Sequence, residues 1–353
     1  MSILHFNLYK KTLNLRVFKI LALSFGGPSG SPYFVNEGKV KMSGVLVVGS
    51  LNMDCVLDVS SIAKPGETIM GSKFRMTSGG KGANQAVASS KAGAKTRILG
   101  AVGTDGFGKE LLDSLQDLGV DVTDIIIKSD VSTGLAMIQV DSRGENSIAV
   151  YSGANGELTA ENIQNTYHAF QDSQVLLLQN EIPLSATLQS LIIAHSLKLH
   201  TYMNPSPIID LPDQFYQLTD TMVLNRHEAS FLSGNNIKNQ QDAIQSAWRI
   251  IGRGCNEVLI TLGENGAVFI NGVSGEVVYQ PAFQVKPIDT TGAGDTMVGS
   301  FAAYRLQHGN AQSALKFAAA ASAISVQKSG AQQSMPDYNQ TINFLGEVEG
   351  ILP

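Results

Sequence analysis

From residue 44 onward, short apolar runs alternate with stretches of helical periodicity along most of the chain. The apolar runs predict buried strands at 45–49, 98–102, 175–178, 199–203, 222–224 and 258–261. The periodic stretches predict helices at 82–91, 107–118, 159–171, 184–197, 226–233, 239–251, 293–307 and 311–327. This alternation is typical of a mainly parallel sheet covered by helices on both faces, so we predict a three-layer α/β/α sandwich.

Two regions, 52–78 and about 133–151, interrupt that alternation with short extended pieces and turn signals. The turn signals are Lys64-Pro65-Gly66 in the first region and Asp141-Ser142-Arg143-Gly144 in the second. Because neither region has helical periodicity, both are predicted to form one small β-sheet that is discontinuous in sequence. The predicted domain spans 44–345 and is followed by a short tail at 346–353.

The first 43 residues differ from the rest, since they carry six basic side chains and only one acidic side chain, Glu37. A basic, Leu-rich, acid-poor leader is typical of an organelle transit peptide. The alternative is that Met42 is the working start of the protein. The expected location is the cytoplasm, with or without the nucleus, unless this extension directs the chain to a mitochondrion or plastid.

Composition excludes several classes of protein. Hydrophobic residues make up 43% and charged residues 16% of the chain, which is an ordinary globular balance. A net charge of -5 argues against a nucleic-acid partner. The two cysteines are far apart and the six histidines do not cluster, which argues against a disulfide framework and a zinc site. No apolar run reaches the roughly 18 residues that a membrane span needs.

The strongest chemical signal is the run Asp289-Thr-Thr-Gly-Ala-Gly-Asp295-Thr296, which a helical pattern follows at once. Gly292, Ala293 and Gly294 carry little side chain, so their N–H groups could converge on an anion at a helix N-terminus. Phosphoryl transfer needs such a cradle for its equatorial oxygens. Asp295 could then accept the proton of an attacking hydroxyl. The alternative is that Asp295 is only a helix cap after a glycine turn.

A second glycine-rich run, Gly103 to Lys109, matches the GxxxxGK spacing of a phosphate-binding loop. Glu110 follows it where Ser or Thr should bind Mg²⁺, and a carboxylate there would repel phosphates. This run is therefore interpreted as a glycine turn that enters a helix. The chain also contains no GxGxxG run, which argues against a nicotinamide oxidoreductase of the same broad fold class.

Two further polar runs sit next to predicted strands, Gly49-Ser-Leu-Asn52-Met-Asp54 and Ser78-Gly-Gly-Lys81-Gly-Ala-Asn84-Gln-Ala86. Ligands of open α/β sheets bind at the carboxyl ends of strands, where short polar side chains can reach them. Together with the 289–296 run, these motifs and their order resemble the ribokinase (PfkB-type) family of carbohydrate kinases over nearly all of 44–345. We infer a member of that family with a ribokinase-like fold.

The resemblance implies ATP-dependent phosphorylation of D-ribose at O5, with Asp295 as base and Gly292, Ala293 and Gly294 as the anion hole. The sugar-binding residues that it implies are Asn52, Asp54, Gly79, Gly80, Lys81, Asn84, Glu181 and Asp295. A related kinase for deoxyribose, fructose or adenosine would share this machinery, and a non-catalytic sugar-responsive regulator would be expected to lose it. The small β-sheet should act as a lid that also pairs two subunits.

The resemblance also implies the ATP site and its metals. The ATP-binding residues are Asn225, Thr261, Leu262, Gly263, Glu264, Asn265, Gly266, Gly294 and Ala319. Ala319 replaces a His that lies near the adenine in bacterial members, and Gln333 replaces a usual Pro. Mg²⁺ accompanies ATP and is handled through water by Glu228. An activating K⁺ would lie at Asp289, Thr291, Ser325, Lys328, Gly330 and Ser334.

Overall fold

The computed structural model describes residues 44–350. The predicted extension at 1–43 lies outside these described residues, as do the last three residues of the chain. Within 44–350, no helix is long and apolar enough to cross a membrane.

A nine-stranded sheet dominates the part of the chain that the structure describes, in the order β15-β14-β13-β12-β11-β10-β1-β4-β6. Its strands run in one direction except β14, which pairs antiparallel with both of its neighbours, β13 and β15. The strands are β1 (Val45–Val48), β4 (Thr96–Leu99), β6 (Val120–Asp121), β10 (Val175–Leu178), β11 (His200–Met203), β12 (Thr221–Asn225), β13 (Glu257–Thr261), β14 (Ala267–Asn271) and β15 (Val277–Gln280).

Helices cover both faces of this sheet, so the predicted three-layer sandwich is confirmed. Strand β1 shows the reason, because Val45 and Val47 enter one hydrophobic core while Leu46 and Val48 enter the other. One layer contains α1 (Lys81–Lys91), α2 (Gly106–Asp117), α9 (Ala293–His308), α10 (Ala311–Ser325) and α11 (Tyr338–Val348). The opposite layer contains α3 (Ala160–Asn165), α4 (Tyr167–Gln171), α5 (Leu184–Leu197), α6 (Asp213–Gln217), α7 (Arg226–Ser233) and α8 (Gln240–Ile251).

The two irregular regions form one four-stranded sheet, as the sequence predicts. Its order is β3-β2-β8-β9, and its strands are β2 (Asn52–Val59), β3 (Gly71–Gly79), β8 (Gly134–Val140) and β9 (Asn146–Tyr151). We call this sheet the lid. Strand β2 lies at its centre, paired antiparallel with β3 and parallel with β8.

Some elements differ from the sequence-based expectation. The strand expected at 98–102 divides at Gly100, and its second part, β5 (Ala101–Gly103), pairs with β7 (Ile126–Lys128) in a separate sheet. A Cβ atom at Gly100 would lie 2.4 Å from the Leu51 side chain, so the chain passes too closely there for another residue. The hairpin of β14 and β15 and the final helix were not predicted. Helix α11 reaches Val348, beyond the predicted boundary at 345.

Helix α9 is fixed at its far end by a buried ion pair. Arg305 donates from Nη1 and Nη2 to the two carboxylate oxygens of Glu257 at 2.5 and 2.7 Å, and the guanidinium lies near the rings of Phe269 and Phe301. Glu257 begins β13, so the pair joins the C-terminal part of α9 to the amino edge of the main sheet. A bidentate pair of this kind fixes orientation as well as distance.

Candidate functional site

The predicted site residues gather at the carboxyl edge of the parallel strands, where ligands of such sheets bind. The lid strand β2 begins just beyond β1 and carries Asn52 and Asp54. Glu181 follows β10, and Asn225 ends β12. The N-terminal turns of α1 and α9 reach the same edge, because Asn84 in α1 contacts Asp295 in α9.

Asp295 is the buried carboxylate at the centre of this cluster, with 7% of its surface exposed. Its Oδ2 accepts a hydrogen bond from Asn84 Nδ2 at 2.9 Å, and its Oδ1 accepts one from Gln85 Nε2 at 3.1 Å. The residue that caps α9 is Gly292, and it makes no side-chain cap hydrogen bond. Asp295 is therefore not the cap of its helix, and its two oxygens point into the cluster.

The glycine turn before Asp295 leaves room for an anion. Helix α9 begins at Ala293, so the N–H groups of its first turn lack partners within the helix. Apart from its chain neighbours and the adjacent backbone of its own helix, no atom of the described residues lies within 4 Å of the place where a side chain on Gly294 would begin, which keeps the approach open. The structure differs from the prediction in one detail, because the Ala293 N–H donates to the Thr290 carbonyl at 3.2 Å. Ala293 does not offer that N–H to a ligand in this conformation.

The edge that carries Asn52 and Asp54 is held by close backbone approaches and by one residue that the motifs did not reveal, Asn155. Asn155 donates from Nδ2 to Asn52 Oδ1 at 2.8 Å. Because the oxygen of the Asn52 amide faces Asn155, its nitrogen points away from Asn155. A Cβ on Gly79 would lie 2.1 Å from Asp54 Oδ2, so glycine is required where β3 passes this carboxylate. The lid pairing thereby places Asp54 against the start of α1.

Several charged side chains lie close together here, and they shift the pKa of Asp54 and of Lys81. Burial raises the pKa of Asp54 to about 7, with contributions from Glu181 and Asp295 and an opposing one from Lys81. Burial acts to lower the pKa of Lys81, but the carboxylates of Asp295 and Glu181 outweigh it and raise that pKa. The cluster therefore holds more carboxylates than its one ammonium group can neutralise.

Glu181 joins the strand end after β10 to the entry of α1. Its Oε2 accepts the Ser50 hydroxyl at 2.5 Å and the Lys81 backbone N–H at 3.1 Å. Ser50 in turn accepts the Gly82 N–H at 3.3 Å. These bonds fix the glycine turn at 79–82 against the end of β1, so Glu181 supports the turn as well as facing the site.

The predicted nucleotide and magnesium residues lie along the same edge. Asn225 and Glu228 form a capping box, in which Glu228 Oε2 accepts the Asn225 N–H at 2.8 Å. Burial raises the pKa of Glu228 although that hydrogen bond acts to lower it. The turn after β13 is an exposed 3₁₀ turn at Gly263–Asn265, and Arg226 donates to the Leu262 carbonyl beside it. Ala319 is buried in α10, which packs against β14 and β15.

The predicted cation loop is tied to the cradle through Asp289. Its Oδ1 accepts the Thr291 N–H at 2.9 Å and the Thr291 hydroxyl at 2.6 Å, and its Oδ2 accepts the Gly330 N–H at 2.9 Å. Burial acts to raise the pKa of Asp289, but these hydrogen bonds outweigh it and lower that pKa. The Ser334 hydroxyl donates to the Ala331 carbonyl, so its own lone pairs stay free to accept.

The other predicted cation residues, Ser325 and Lys328, are joined by a backbone hydrogen bond of 3.2 Å at the end of α10. The candidate donors of this loop are oxygen atoms, as a hard cation requires. Within 44–350, no group of three or more His, Cys, Asp or Glu side chains could hold a metal ion.

The sequence motifs do not identify four buried amides as site residues, although each is linked to Asp295 directly or through one other side chain. They are Gln85, Gln179, Asn204 and Gln332, and each is at least nine-tenths buried. A signal existed for two of them, since Gln179 and Asn204 are the first polar residues after the buried strands β10 and β11. Nothing local marks Asn155, which lies in a 3₁₀ turn after the lid.

Several known proteins are similar to this chain in both sequence and fold. The pattern of the pfkB family carbohydrate kinases matches residues 42–338. A ribokinase of Haemophilus influenzae is 38% identical over 299 residues, which cover 85% of this chain and 97% of that protein. A deoxyribokinase of Salmonella typhi is 32% identical over 302 residues, covering 85% and 98%. A structure of Arabidopsis thaliana ribokinase with ribose and ATP is 28% identical, with a TM-score of 0.80 over 86% of this chain and 99% of that one.

The raised pKa of Asp54 predicts a pH-dependent stability. Between the unfolded value of about 3.9 and the folded value of about 7, the folded protein holds a proton that the unfolded chain releases. This contribution to stability is fully present below pH 4 and is lost as the pH rises through 7. Asparagine does not titrate, so the free energy of unfolding of Asp54→Asn should not show this loss. Relative to the wild type, it should therefore rise by more than about 1 kcal/mol, the equivalent of one pKa unit, between pH 4 and pH 8.

Denaturant unfolding of both proteins across this pH range measures the difference. Thr77→Val is the matched control, because Thr77 pairs with Asp54 across the lid and does not titrate in this range. A constant difference between Asp54→Asn and the wild type would show that Asp54 is ionised throughout.

Proposed function

The chain belongs to the pfkB family of carbohydrate kinases, and we propose that it transfers the γ-phosphoryl group of ATP to the 5-hydroxyl of D-ribose. The similarity to the Haemophilus ribokinase over almost its whole length supports this substrate. The Arabidopsis ribokinase, whose structure is described with ribose and ATP, supports both substrates.

The observation that carries the proposal is the position of Asp295. Its carboxylate is buried among side-chain amides, within the first turn of the helix whose N-terminus faces the open space at Gly294. In our proposal the primary hydroxyl of the sugar gives its proton to Asp295, and its oxygen attacks the γ-phosphorus in line while the bond from that phosphorus to the β–γ bridging oxygen breaks and ADP leaves. The N-terminus of α9 stabilises the charge that develops on the phosphoryl oxygens.

The remaining side chains hold the sugar and exclude water. Asn52, Asp54 and Glu181 offer an amide and two carboxylates to the sugar hydroxyls, and Lys81 offsets part of their charge. The lid carries Asn52 and Asp54, so closing it over the sugar would complete the site. Exclusion of water matters to a kinase because water competes with the sugar for the phosphoryl group.

The residues present fit the two cations that the family implies. Mg²⁺ bound with ATP would neutralise charge on the phosphates, and Glu228 fits a water-mediated contact because the Asn225 N–H anchors its carboxylate near Lys81. The oxygen atoms around Asp289, Gly330 and Ser334 fit K⁺. Their hydrogen bonds join the 330–334 loop to the turn before α9, so a cation held there would stiffen the anion cradle.

We also propose that the outer face of the lid pairs with the same face of a second copy. Cys55 lies between Met76 and Met137 in the lid register, so both methionines project from the face opposite Asp54. Phe74 and Tyr151 fall on that face too, and the four large side chains are 46–58% exposed. An exposed apolar patch of this kind is typical of an interaction surface. A sheet face can meet its own copy through a two-fold axis.

A sugar panel tests the main proposal. An ADP-release assay with ribose, deoxyribose, fructose and adenosine should give the highest kcat/KM for ribose. The similarity to a deoxyribokinase makes deoxyribose the second candidate, and a higher kcat/KM for it would replace ribose as the substrate.

The same assay at constant ionic strength should give faster turnover in K⁺ than in Li⁺ salts. Equal rates in both would remove the cation proposal.

Asp295→Asn tests the proposed base. Asparagine keeps the size of the side chain but cannot take a proton, so kcat should fall about 10²–10⁴-fold with little change in ATP affinity. The Asn84 and Gln85 amides donate to Asp295, so asparagine also places an N–H₂ group against a donor, and the melting temperature should fall. A folded variant with near-normal kcat would mean that another group accepts the proton.

Met137→Glu tests the lid interface. A buried charge in the centre of the apolar face should convert a dimer into a monomer, which sedimentation equilibrium measures directly. Val277→Glu is the matched control, since Val277 is 44% exposed on an edge strand of the main sheet and should leave the mass unchanged. A wild-type monomer at the concentrations of the assay would rule out the interface.

A further inference from the structure

A chain of buried amides ends on the carboxylate of Asp295, and the direction of each amide follows from the one before it. This series of hydrogen bonds starts at the Val223 backbone carbonyl in β12, which can only accept hydrogen bonds. Asn204 Nδ2 donates to it at 3.0 Å, so the oxygen of the Asn204 amide must face the other way. That oxygen accepts Gln85 Nε2 at 3.2 Å. Gln85 is therefore required to present its N–H₂ group on this side.

The same nitrogen of Gln85 donates its second hydrogen to Asp295. Nε2 lies 3.1 Å from Asp295 Oδ1, while Gln85 Oε1 accepts Gln179 Nε2 at 2.7 Å on its other side. Gln85 and Gln179 are fully buried, so water cannot replace these bonds. With its oxygen and its nitrogen both engaged, the Gln85 amide cannot turn over without losing three hydrogen bonds. The Oδ1 lone pair that faces Gln85 is thereby kept free of a proton.

The opposite side of Asp295 lacks such a fixed starting point. Asn84 Nδ2 donates to Oδ2, and Gln332 Nε2 donates to Asn84 Oδ1 at 3.1 Å. The Gln332 Oε1 atom has no hydrogen-bond partner within the described chain, and neither has Gln179 Oε1 on the other side, but this side has no backbone anchor that corresponds to the Val223 carbonyl. The direction of these two amides depends on Asp295 itself, whereas the direction of Gln85 is set by the backbone.

We propose that Gln85 is the positioning residue of the catalytic base, and that Asn204 and Gln179 act on the base through Gln85. The amide fixes the carboxylate plane and keeps Oδ1 as an acceptor, so that the carboxylate is oriented before the sugar arrives. The inference rests on the proposed kinase function for its kinetic consequences. Its hydrogen bonds belong to the protein alone and can be tested without any substrate.

Gln85→Met removes the amide but keeps the length of the side chain. Loss of one hydrogen bond to a charged group should lower kcat about 10–100-fold. Because Gln85 is proposed to act on the base and not on the ligands, the KM for sugar and for ATP should change less than about threefold. Gln179→Met should lower kcat less, since Asn204 still holds Gln85. These constants are measured with whichever sugar the wild type uses best.

A double-mutant cycle separates positioning from general damage to the fold. In the Asp295→Asn background, Gln85→Met should change kcat less than about twofold, because the group that it positions is gone. Ser89→Ala is the matched control, one turn along the same helix, where the hydroxyl bonds Gln85 O and Gly299 O but not the base. It should leave kcat near the wild-type value. An equal loss in both backgrounds, or normal turnover of Gln85→Met, would overturn the proposal.

The same cycle in denaturant unfolding measures the hydrogen bond without substrate. Gln85→Met and Asp295→Asn should show a coupling in unfolding free energy, whereas Ser89→Ala and Asp295→Asn should be additive. If no sugar is phosphorylated, the proposed function fails while this coupling still decides whether Gln85 holds the carboxylate. Additive behaviour of Gln85→Met with Asp295→Asn would sink the inference even in an active kinase.

Discussion

The close crossing of helices α1 and α9 is the constraint on which the site depends. A Cβ atom on Gly299 would lie 2.5 Å from the Gln85 carbonyl oxygen and 2.6 Å from the Ala88 side chain, so the two backbones approach as closely as glycine allows. This contact brings the turn before α1, which is the proposed sugar site, next to the N-terminus of α9, which is the proposed anion site. Asp295 meets Asn84 across a sequence separation of 211 residues as a direct result.

The charged groups where α1 and α9 meet determine which ligands this site can bind. The carboxylates of Glu181 and Asp295 lie close enough to Asp54 and to the Lys81 ammonium group to raise the pKa of both. Carboxylates are strong acceptors for sugar hydroxyls, while the backbone N–H groups at the start of α9 attract phosphate oxygens. A sugar kinase needs hydrogen-bond acceptors for the sugar hydroxyls on one side of its site and hydrogen-bond donors to the phosphate oxygens on the other.

The residues of the site come from two separate parts of the structure, helix α9 and the lid. Helix α9 is held at both ends, by the amides around Asp295 and by the Arg305 pair with Glu257 at the opposite edge of the main sheet. Asp295, the proposed base, therefore lies on a helix that is held at both ends, which favours precise positioning. Asn52 and Asp54 belong to the lid, a separate small sheet whose outer face is apolar and exposed.

The sequence by itself determined the fold class, the central parallel strands and the motif residues, because strand burial, helical periodicity and glycine turns are local patterns. Tertiary structure alone decided which polar atoms face each other. The Gln85 amide is oriented by Asn204 and Gln179, which lie 119 and 94 residues away, and Asn155 reaches Asn52 from a distance of 103 residues. The direction of a buried amide depends on its partners in space, and no local pattern records them.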